Sequence, residues 1–206
     1  MDVRVVRHPL VEDVLAGLRD RHTPCDVFRR LARRASLLLV AEATRDLSLR
    51  DHAIDTPLEP TTVRRLVARV VAVPVLRAGL GLLEGFLELL PQAEVGYFGL
   101  ERDESTAVAR RYYERVPKRL GDAVVFLLDP MLATGGSAAL AIEGLAELGA
   151  RGVRLLSIVA APEGIARLQA SAPDVTVYTA AVDRGLNERK FILPGLGDFG
   201  DRLFGT

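Results

Sequence analysis

The strongest constraint on the fold of this chain is a regular alternation of apolar, β-branched runs with helical stretches, starting near Val70. The runs are VVAVPVL (70–76), EVGYFGL (94–100), AVVFLLD (123–129), VRLLSIVAA (153–161) and VTVYTAAVD (175–183), and helices are expected near 79–90, 136–149 and 163–171. Runs that are apolar on both faces are typical of parallel strands covered by helices on each side. The pattern therefore predicts a doubly wound α/β fold, with a largely parallel sheet flanked by helices.

The N-terminal part predicts two helices followed by an arm. A short helix is expected over residues 10–20, and a second helical period begins at Asp26, with an apolar face opposite an arginine-rich face. The apolar face contains Phe28, Leu31, Ala32, Ala35, Leu38 and Leu39, and the opposite face contains Arg29, Arg30, Arg33 and Arg34. Residues 48–62 carry two prolines and several threonines, which favours a loop or a hairpin-like arm. The length of 206 residues and the absence of a linker predict one domain, residues 1–206.

Composition argues against several classes of function. The 27 basic and 27 acidic side chains cancel, which disfavours a general nucleic-acid binder. Cys25 is the single cysteine, so an internal disulfide and a multi-cysteine zinc site are excluded. No apolar leader follows the basic start MDVRVVRH, and no run of about 18 uncharged apolar residues is present. We therefore expect a cytoplasmic protein that does not insert into membranes.

The stretch VVFLLDPMLATGGS (124–137) predicts a phosphate site. A strand ends at Asp129, and a short loop with Thr134, Gly135, Gly136 and Ser137 opens the next helix. Ligands of open α/β sheets bind beyond the carboxyl ends of the strands, and a glycine-rich turn at a helix N-terminus offers free amides to an anion. The loop matches neither the P-loop nor the dinucleotide fingerprint. A phosphate monoester is the expected guest, and a helix-capping turn that binds nothing is the alternative.

Several segments together resemble the type I phosphoribosyltransferase family, and within it the uracil phosphoribosyltransferases. DPMLATGGS (129–137) is similar to the family motif for phosphoribosyl diphosphate (PRPP), with Pro130 in place of a second acidic residue. Further likeness lies in HPLV (8–11), EATRDL (42–47), VPVLRAGLGL (73–82), AAPEGIARL (160–168), GLNE (185–188) and PGLGDFGDRLFGT (194–206). The resemblance covers essentially the whole chain, and it implies the type I fold with N-terminal helices and a C-terminal hood.

The resemblance implies a set of PRPP-binding residues. These are Arg77, Arg102, Asp129, Pro130, Met131, Leu132, Ala133, Thr134, Gly135, Gly136, Ser137 and Asp198. Arg77 follows a predicted strand, where its planar guanidinium could bind a diphosphate. Arg102 begins the polar stretch 101–121, which resembles the flexible lid that closes over PRPP. The resemblance assigns the catalytic roles to Arg102 and Asp198.

The glycine-rich tail 185–201 looks unlike an ordinary helix or strand, and the resemblance identifies it as a hood that binds uracil through main-chain groups. The implied uracil-binding residues are Ile192, Gly197, Asp198 and Phe199. Phe199 departs from the family, where a small alanine is usual. If position 199 contacts uracil through its main chain, the Phe199 ring is expected to point away from the base. If the side chain makes the contact, the ring is expected to alter the base pocket. Glu101, Arg110 and Arg111 also depart from the family pattern.

The implied reaction converts uracil and PRPP to UMP and diphosphate, as in pyrimidine salvage. Mg²⁺ is expected to be carried by PRPP, without direct protein ligands, because substrate phosphates and water supply most of its coordination. The resemblance further implies a homo-oligomer, either dimer or tetramer, and raises GTP as an allosteric activator. No nucleic-acid or membrane partner is expected.

Besides a plain structural or assembly protein, which would leave the clustered glycine loops unexplained, two other functions stay open from the sequence. One is a non-catalytic regulator on the same fold that senses UMP and binds RNA, which the arginines at 29–34 keep possible. The other is a phosphoribosyltransferase for a different base, motivated by Phe199.

Overall fold

The apolar runs form the centre of a nine-stranded sheet in the computed structural model, which describes residues 1–102 and 109–206. The sheet strands are β1 (Asp2–Val5), β4 (Arg69–Leu76), β5 (Glu94–Val95), β6 (Tyr97–Arg102), β7 (Ala109–Arg115), β8 (Ala123–Leu128), β9 (Met131–Leu132), β10 (Arg154–Ala160) and β11 (Thr176–Val182). Their order is β1-β11-β10-β8-β4-β6-β7, with β5 beside β4 and β9 beside β10. The pairs are parallel except β6 with β7, which is antiparallel. The predicted α/β class with a largely parallel sheet is confirmed.

Helices cover both faces of this sheet. They are α1 (Pro9–Arg19), α2 (Cys25–Ala43), α3 (Leu80–Leu89), α4 (Gly136–Glu147), α5 (Pro162–Ser171) and α6 (Phe199–Phe204). Side chains alternate along β4, so that Val70 and Ala72 face a core with α1, α2, α3 and α6, while Val71 and Val73 face a core with α4 and α5. Burial on both faces explains why the central strands are uniformly apolar.

The arginine-rich helix lies as its pattern predicts. Phe28, Ala32, Ala35 and Leu39 are buried, whereas Leu31 and Leu38 are only partly buried at the edge of the core. Helix α2 packs against α3, and a close approach at Gly85 makes this possible. A Cβ at Gly85 would lie 2.6 Å from the Arg33 carbonyl oxygen and 2.9 Å from Ser36 Cβ.

Residues 48–62, predicted as a loop or hairpin-like arm, belong to a two-stranded antiparallel hairpin of β2 (Leu49–Asp55) and β3 (Pro60–Leu66). Leu58 at its turn is 95% exposed, so the hairpin projects from the body of the protein. No helix in the described parts of the chain is long and apolar enough to cross a membrane.

Three elements differ from the sequence-based expectation or were missed by it. The N-terminal strand β1 pairs with β11 at the sheet edge, but its four residues are too few for a detectable period. The stretch 101–121, predicted as a polar lid loop, contains β7, whose polar composition reflects its place at the opposite edge. Residues 103–108 of that stretch lie outside the described residues.

The third difference concerns the tail 185–201, predicted to lack ordinary helix and strand. It contains the short pair β12 (Gly185–Leu186) and β13 (Ile192–Leu193), and then α6. The start of α6 could not be predicted from the sequence, because the glycines around it are typical of turns and not of helices. Asp198 caps this helix, because its Oδ1 accepts a hydrogen bond from the Asp201 amide at 2.9 Å.

Candidate active site

The predicted phosphate loop, residues 129–137, begins where the pairing of β8 with β10 ends, and it includes β9, which pairs with β10 again. Strand β8 pairs with β10 up to Leu128, and β9 rejoins β10 at Met131. The regular pairing is interrupted at residues 129–130, at the carboxyl end of β8, although the Pro130 carbonyl still accepts the Ile158 amide at 2.9 Å. The loop therefore lies where an α/β sheet binds ligands.

Gly135 and Gly136 turn this loop into helix α4. Gly135 has a φ of +74°, a left-handed conformation that strains most other residues. A Cβ there would lie 2.8 Å from the Gly164 carbonyl oxygen, so the loop packs tightly on the start of α5. Helix α4 has no side-chain cap, and its first amides point out of the helix end. This end can therefore accept an anion through its main-chain amides and partial positive charge.

Asp129 lies at the floor of the same loop, with only 9% of its surface exposed. Its Oδ1 accepts a hydrogen bond from the Met131 amide at 3.4 Å, and its main-chain carbonyl accepts one from Ser157 Oγ at 2.5 Å. These contacts fix both the carboxylate and the main chain of Asp129. A fixed carboxylate at this depth can bind sugar hydroxyls strongly, because hydrogen bonds to a charged acceptor are stronger than neutral ones.

Arg77 stands on the turn between β4 and α3, at the end of the neighbouring strand. Its guanidinium carbon lies 5.4 Å from the Phe204 ring centroid, and one of its nitrogens lies 3.9 Å from Asp201 Oδ1. The turn packs against β8, since a Cβ at Gly79 would lie 2.3 Å from the Leu128 carbonyl oxygen. Arg77 and Asp129 are thus held on adjacent strand ends.

A cleft of about 240 Å³ joins these groups. It is lined by Val75, Leu76, Arg77, Ala78, Leu100, Asp129, Met131, Leu132, Ala133, Thr134, Gly135, Gly136, Ser137, Ala138, Asp198, Phe199 and Gly200. The cleft therefore brings together nearly all the residues predicted from the sequence, but Pro130, Ile192 and Gly197 do not line it. Leu100 was not predicted; it precedes Arg102 on β6, so the stretch assigned to the lid starts beside the cleft. The backbone of Arg102 ends β6, and its side chain lies outside the described residues.

A larger groove of about 1340 Å³ runs along α4 and α5. It shares only Thr134, Gly136 and Ser137 with the cleft. The smaller cleft is the better candidate for the site, because Arg77, Asp129 and Asp198 converge in it at the carboxyl ends of the strands.

The ring of Phe199 lies in the core and is 1% exposed. It packs edge-on against Phe28, with ring centroids 5.1 Å apart, and it abuts Gly81, where a Cβ would lie 2.8 Å from the ring. The structure therefore agrees with the first of the two alternatives for this residue, a ring that points away from the base.

The arginines of α2 that kept an RNA-binding function open are engaged within the chain. Arg30 pairs with Asp26, Arg33 with Glu88, and Arg34 lies 4.0 Å from Asp13. Arg29 donates to the Leu203 carbonyl at 2.8 Å. This neutralisation weakens the case for a basic nucleic-acid face.

The sequence matches known proteins along its whole length. The model of the family "Uracil phosphoribosyltransferase" matches residues 5–206. A uracil phosphoribosyltransferase of Latilactobacillus sakei is 47% identical over 203 residues, covering 98% of this chain and 97% of the relative. One of Salinibacter ruber is 47% identical over 205 residues, covering 100% and 98%.

Solved structures give the same fold. The AQ2163 protein from Aquifex aeolicus superposes with a TM-score of 0.94 at 35% identity, covering 99% of this chain and 98% of that protein. A hypoxanthine-guanine phosphoribosyltransferase from Bacillus anthracis has a TM-score of 0.53 at 10% identity, covering 77% of this chain and 80% of that protein. The second likeness concerns the fold alone.

Proposed function

This chain belongs to the uracil phosphoribosyltransferase family, and we propose that its cleft beyond the ends of β4 and β8 joins uracil to the ribose of PRPP. The chain is thus a pentosyltransferase that forms UMP and diphosphate in uracil salvage. The observation that carries the assignment of the cleft is the convergence of Arg77, Asp129, Asp198 and the loop 131–137 on one space.

In this proposal the loop holds the 5′-phosphate of PRPP. The first amides of α4, with the hydroxyls of Thr134 and Ser137, bind the phosphate oxygens. The Asp129 carboxylate accepts hydrogen bonds from the ribose hydroxyls. Together these contacts place the anomeric carbon in the cleft.

Arg77 and Arg102 bind the diphosphate that leaves. As N1 of uracil attacks the anomeric carbon and gives up its proton to the surroundings, the bond to diphosphate breaks and negative charge grows on its oxygens. Guanidinium groups stabilise that charge, and positioned charges of this kind act mainly on the transition state. We expect removal of the Arg102 guanidinium to lower turnover at saturating PRPP. Unchanged turnover would count against its role in the lid.

Mg²⁺ fits this site as a companion of the substrate. No group of three or more His, Cys, Asp and Glu side chains able to hold a metal is present among residues 1–102 and 109–206. Asp129 and Asp198 nevertheless supply hard oxygen donors at the cleft, and Mg²⁺ needs only one or two carboxylates when phosphates provide the rest. The ion would neutralise charge on the diphosphate.

Uracil is read by the hood, through main-chain groups at Ile192 and at Gly197, Asp198 and Phe199. The pyrimidine edge presents an acceptor, an N–H donor and a second acceptor, a pattern that peptide groups can match. Cytosine presents a different pattern, and each unpaired polar group would cost about 1–3 kcal/mol. A closing lid would exclude water, which could otherwise capture the ribosyl centre.

The direct test is diphosphate release by the purified protein with PRPP, Mg²⁺ and a panel of bases. We expect release with uracil, with UMP as the product, and little release with cytosine, hypoxanthine or adenine. Release with another base but not with uracil would contradict the proposal. Tight binding of RNA without any turnover would favour the regulator, which the comparisons do not favour.

The same assay with and without GTP tests allosteric activation, and light scattering at the assay concentration tests for a dimer or a tetramer. Both properties stay predictions from the family resemblance, as does a cytoplasmic location.

A further inference from the structure

Three consecutive peptide groups of the hood are each bonded to a charged side chain from outside the turn at residues 194–197. The Gly195 amide donates to Asp183 Oδ2 at 2.9 Å. The Gly195 carbonyl accepts from Arg19 at 2.8 Å, and the Leu196 carbonyl accepts from Arg202 at 2.8 Å. These bonds involve the peptide groups 194–195, 195–196 and 196–197 in turn.

Asp183 and Arg19 form the first half of this arrangement. Asp183 directly follows β11, and Arg19 is the last residue of α1. Their two nitrogen–oxygen contacts measure 2.6 and 2.9 Å, and the Asp183 side chain is only 5% exposed. A bidentate pair of this kind fixes direction as well as distance. Both partners also bond the hood, so the pair ties α1 and the sheet to the turn at Gly195.

Arg202 forms the second half. Its guanidinium donates to the main-chain carbonyls of Leu18, Asp20 and Leu196, and it stacks over the Phe28 ring at 4.4 Å. Burial lowers the pKa of the Arg202 guanidinium, since the charged form loses hydration there. Two of these carbonyls belong to the end of α1, so Arg202 joins the same helix end to the next peptide of the hood.

The geometry of the peptide bond carries this constraint to the base site. The peptide linking Leu196 to Gly197 is trans, so its carbonyl and its N–H lie in one plane and point in opposite directions. A bond that holds the Leu196 carbonyl therefore also sets the direction of the Gly197 N–H. Gly195 and Gly197 have φ of +61° and +82°, and glycine gives such a turn many alternative conformations when nothing holds it.

We propose that Arg19, Asp183 and Arg202 are positioning residues that set the orientation of the hood peptides for reading the base. This inference rests on the proposed function, in which Gly197 and Asp198 bind uracil. Holding the turn in advance reduces the conformational freedom lost when the base binds, and so raises affinity. None of the three residues needs to contact the substrate for this effect.

The test compares Arg19→Lys and Arg202→Lys with the wild-type protein. Lysine keeps the charge in each case but lacks the planar fork, so it cannot maintain the same set of carbonyl and carboxylate bonds. The dissociation constants of UMP and of ribose 5-phosphate are measured by calorimetry, because only UMP carries the base. Steady-state KM values for uracil and PRPP are measured in parallel, and thermal melting reports folding.

Arg154→Lys is the matched control. Arg154 is also a largely buried guanidinium, with a side chain 15% exposed, that bonds the Ala43 carbonyl, pairs with Asp46 and stacks near Phe126. It is the first residue of β10 and so lies at the amino ends of the strands, whereas the cleft lies at their carboxyl ends. A general loss of stability would affect this variant as well.

We expect both hood variants to weaken UMP binding and to raise the KM for uracil by about tenfold or more, which is about 1.4 kcal/mol. Affinity for ribose 5-phosphate and the KM for PRPP should change less than twofold, and Arg154→Lys should leave all four constants near wild type. Two results in a folded variant would overturn this inference but not the proposed function. One is an equal loss of affinity for UMP and for ribose 5-phosphate, and the other is no loss of affinity for UMP. If Arg202→Lys does not fold, Arg19→Lys decides. A wild-type protein that releases no diphosphate from PRPP with uracil would overturn the proposed function and this inference with it.

Discussion

The guanidinium of Arg77 lies over the ring of Phe204, with 5.4 Å between its carbon and the ring centroid. The two residues are far apart in the sequence, Arg77 in the turn after β4 and Phe204 in the last turn of α6. Asp201 of the same helix lies 3.9 Å from Arg77. Helix α6 therefore supports a side chain that we assign to the diphosphate, while its cap, Asp198, lines the cleft.

Replacing Arg77 by lysine should lower kcat/KM for PRPP by about 10- to 100-fold, because the charged hydrogen bonds of the guanidinium fork are worth about 1.5–3 kcal/mol. The KM for uracil should change little. Phe204→Ala should act in the same direction by only about two- to fivefold, since a partly exposed cation–π contact is worth about 0.5–1 kcal/mol. Steady-state kinetics with each substrate varied in turn measures both effects. Equal kcat/KM values of Arg77→Lys and wild type would contradict the assignment of Arg77 to diphosphate binding.

Replacing Gly135 by alanine should damage both the phosphate loop and the stability of the protein. The new Cβ would lie 2.8 Å from the Gly164 carbonyl oxygen at a left-handed φ. We expect a stability loss of about 1–3 kcal/mol and a KM for PRPP at least several-fold higher. Denaturant unfolding and initial rates measure these two quantities.

Gly152→Ala is the control for this prediction. Gly152 also has a left-handed φ, +61°, but among the described residues no atom beyond its two chain neighbours lies within 4 Å of the position of a Cβ. Backbone strain alone should cost about 1–2 kcal/mol and leave the KM for PRPP unchanged. Identical kinetic effects of the two variants would show that the loop plays no special part in binding.

Two helical glycines should respond in opposite ways to alanine. At Gly85 the Cβ would lie 2.6 Å from a backbone carbonyl of α2, which cannot move without separating the helices, so we expect a loss of about 1–3 kcal/mol. At Gly17 the nearest atom is the end of the Leu31 side chain, which can rotate away. Alanine there should be neutral or should stabilise α1 by up to about 1 kcal/mol. Denaturant midpoints with unchanged slopes would measure the difference, and a neutral Gly85→Ala would contradict the close packing of α2 on α3.

The ion pair of Asp46 with Arg154 should stabilise the protein only above acidic pH. A hydrogen bond from Arg154 lowers the pKa of Asp46 below its ordinary value of 3.8. A carboxylate with a lowered pKa contributes stability that is complete above the unfolded-state value and is lost as the pH falls through the folded-state value. The Tm difference between wild type and Asp46→Asn should therefore be constant above about pH 5 and should narrow below pH 3.8. A difference that grows on acidification would contradict this.

The parts of the fold that could be predicted from the sequence are those with a long, regular pattern. The continuous apolar run of β4 and the glycine pair after β8 each signal a structure within a few neighbouring residues. The glycine-rich loop at residues 131–137 accordingly lines one cleft with Arg77 and Asp198. Its binding of phosphate stays a prediction. The uracil-binding roles of Ile192 and Gly197 stay predictions.

The hood supports could not be predicted in this way. Arg19 and Asp183 are 164 residues apart, and Arg202 and Leu18 are 184 residues apart, so no local pattern connects them. Their contacts depend on how α1 and α6 pack on the same core. The polar strand β7 was missed for a related reason, since an edge strand lacks the apolar signal of the central strands.

The burial of the Phe199 ring limits which substitutions the protein can tolerate at position 199 and at the residues around it. The ring occupies space that Gly81 leaves open and that Phe28 and Leu203 enclose. An alanine at position 199 would empty that space unless position 81 or position 28 gained volume, and a larger residue at 81 would require a smaller one at 199. We therefore expect residues 28, 81 and 199 to change together among related sequences, so that the summed side-chain volume at this place stays nearly constant.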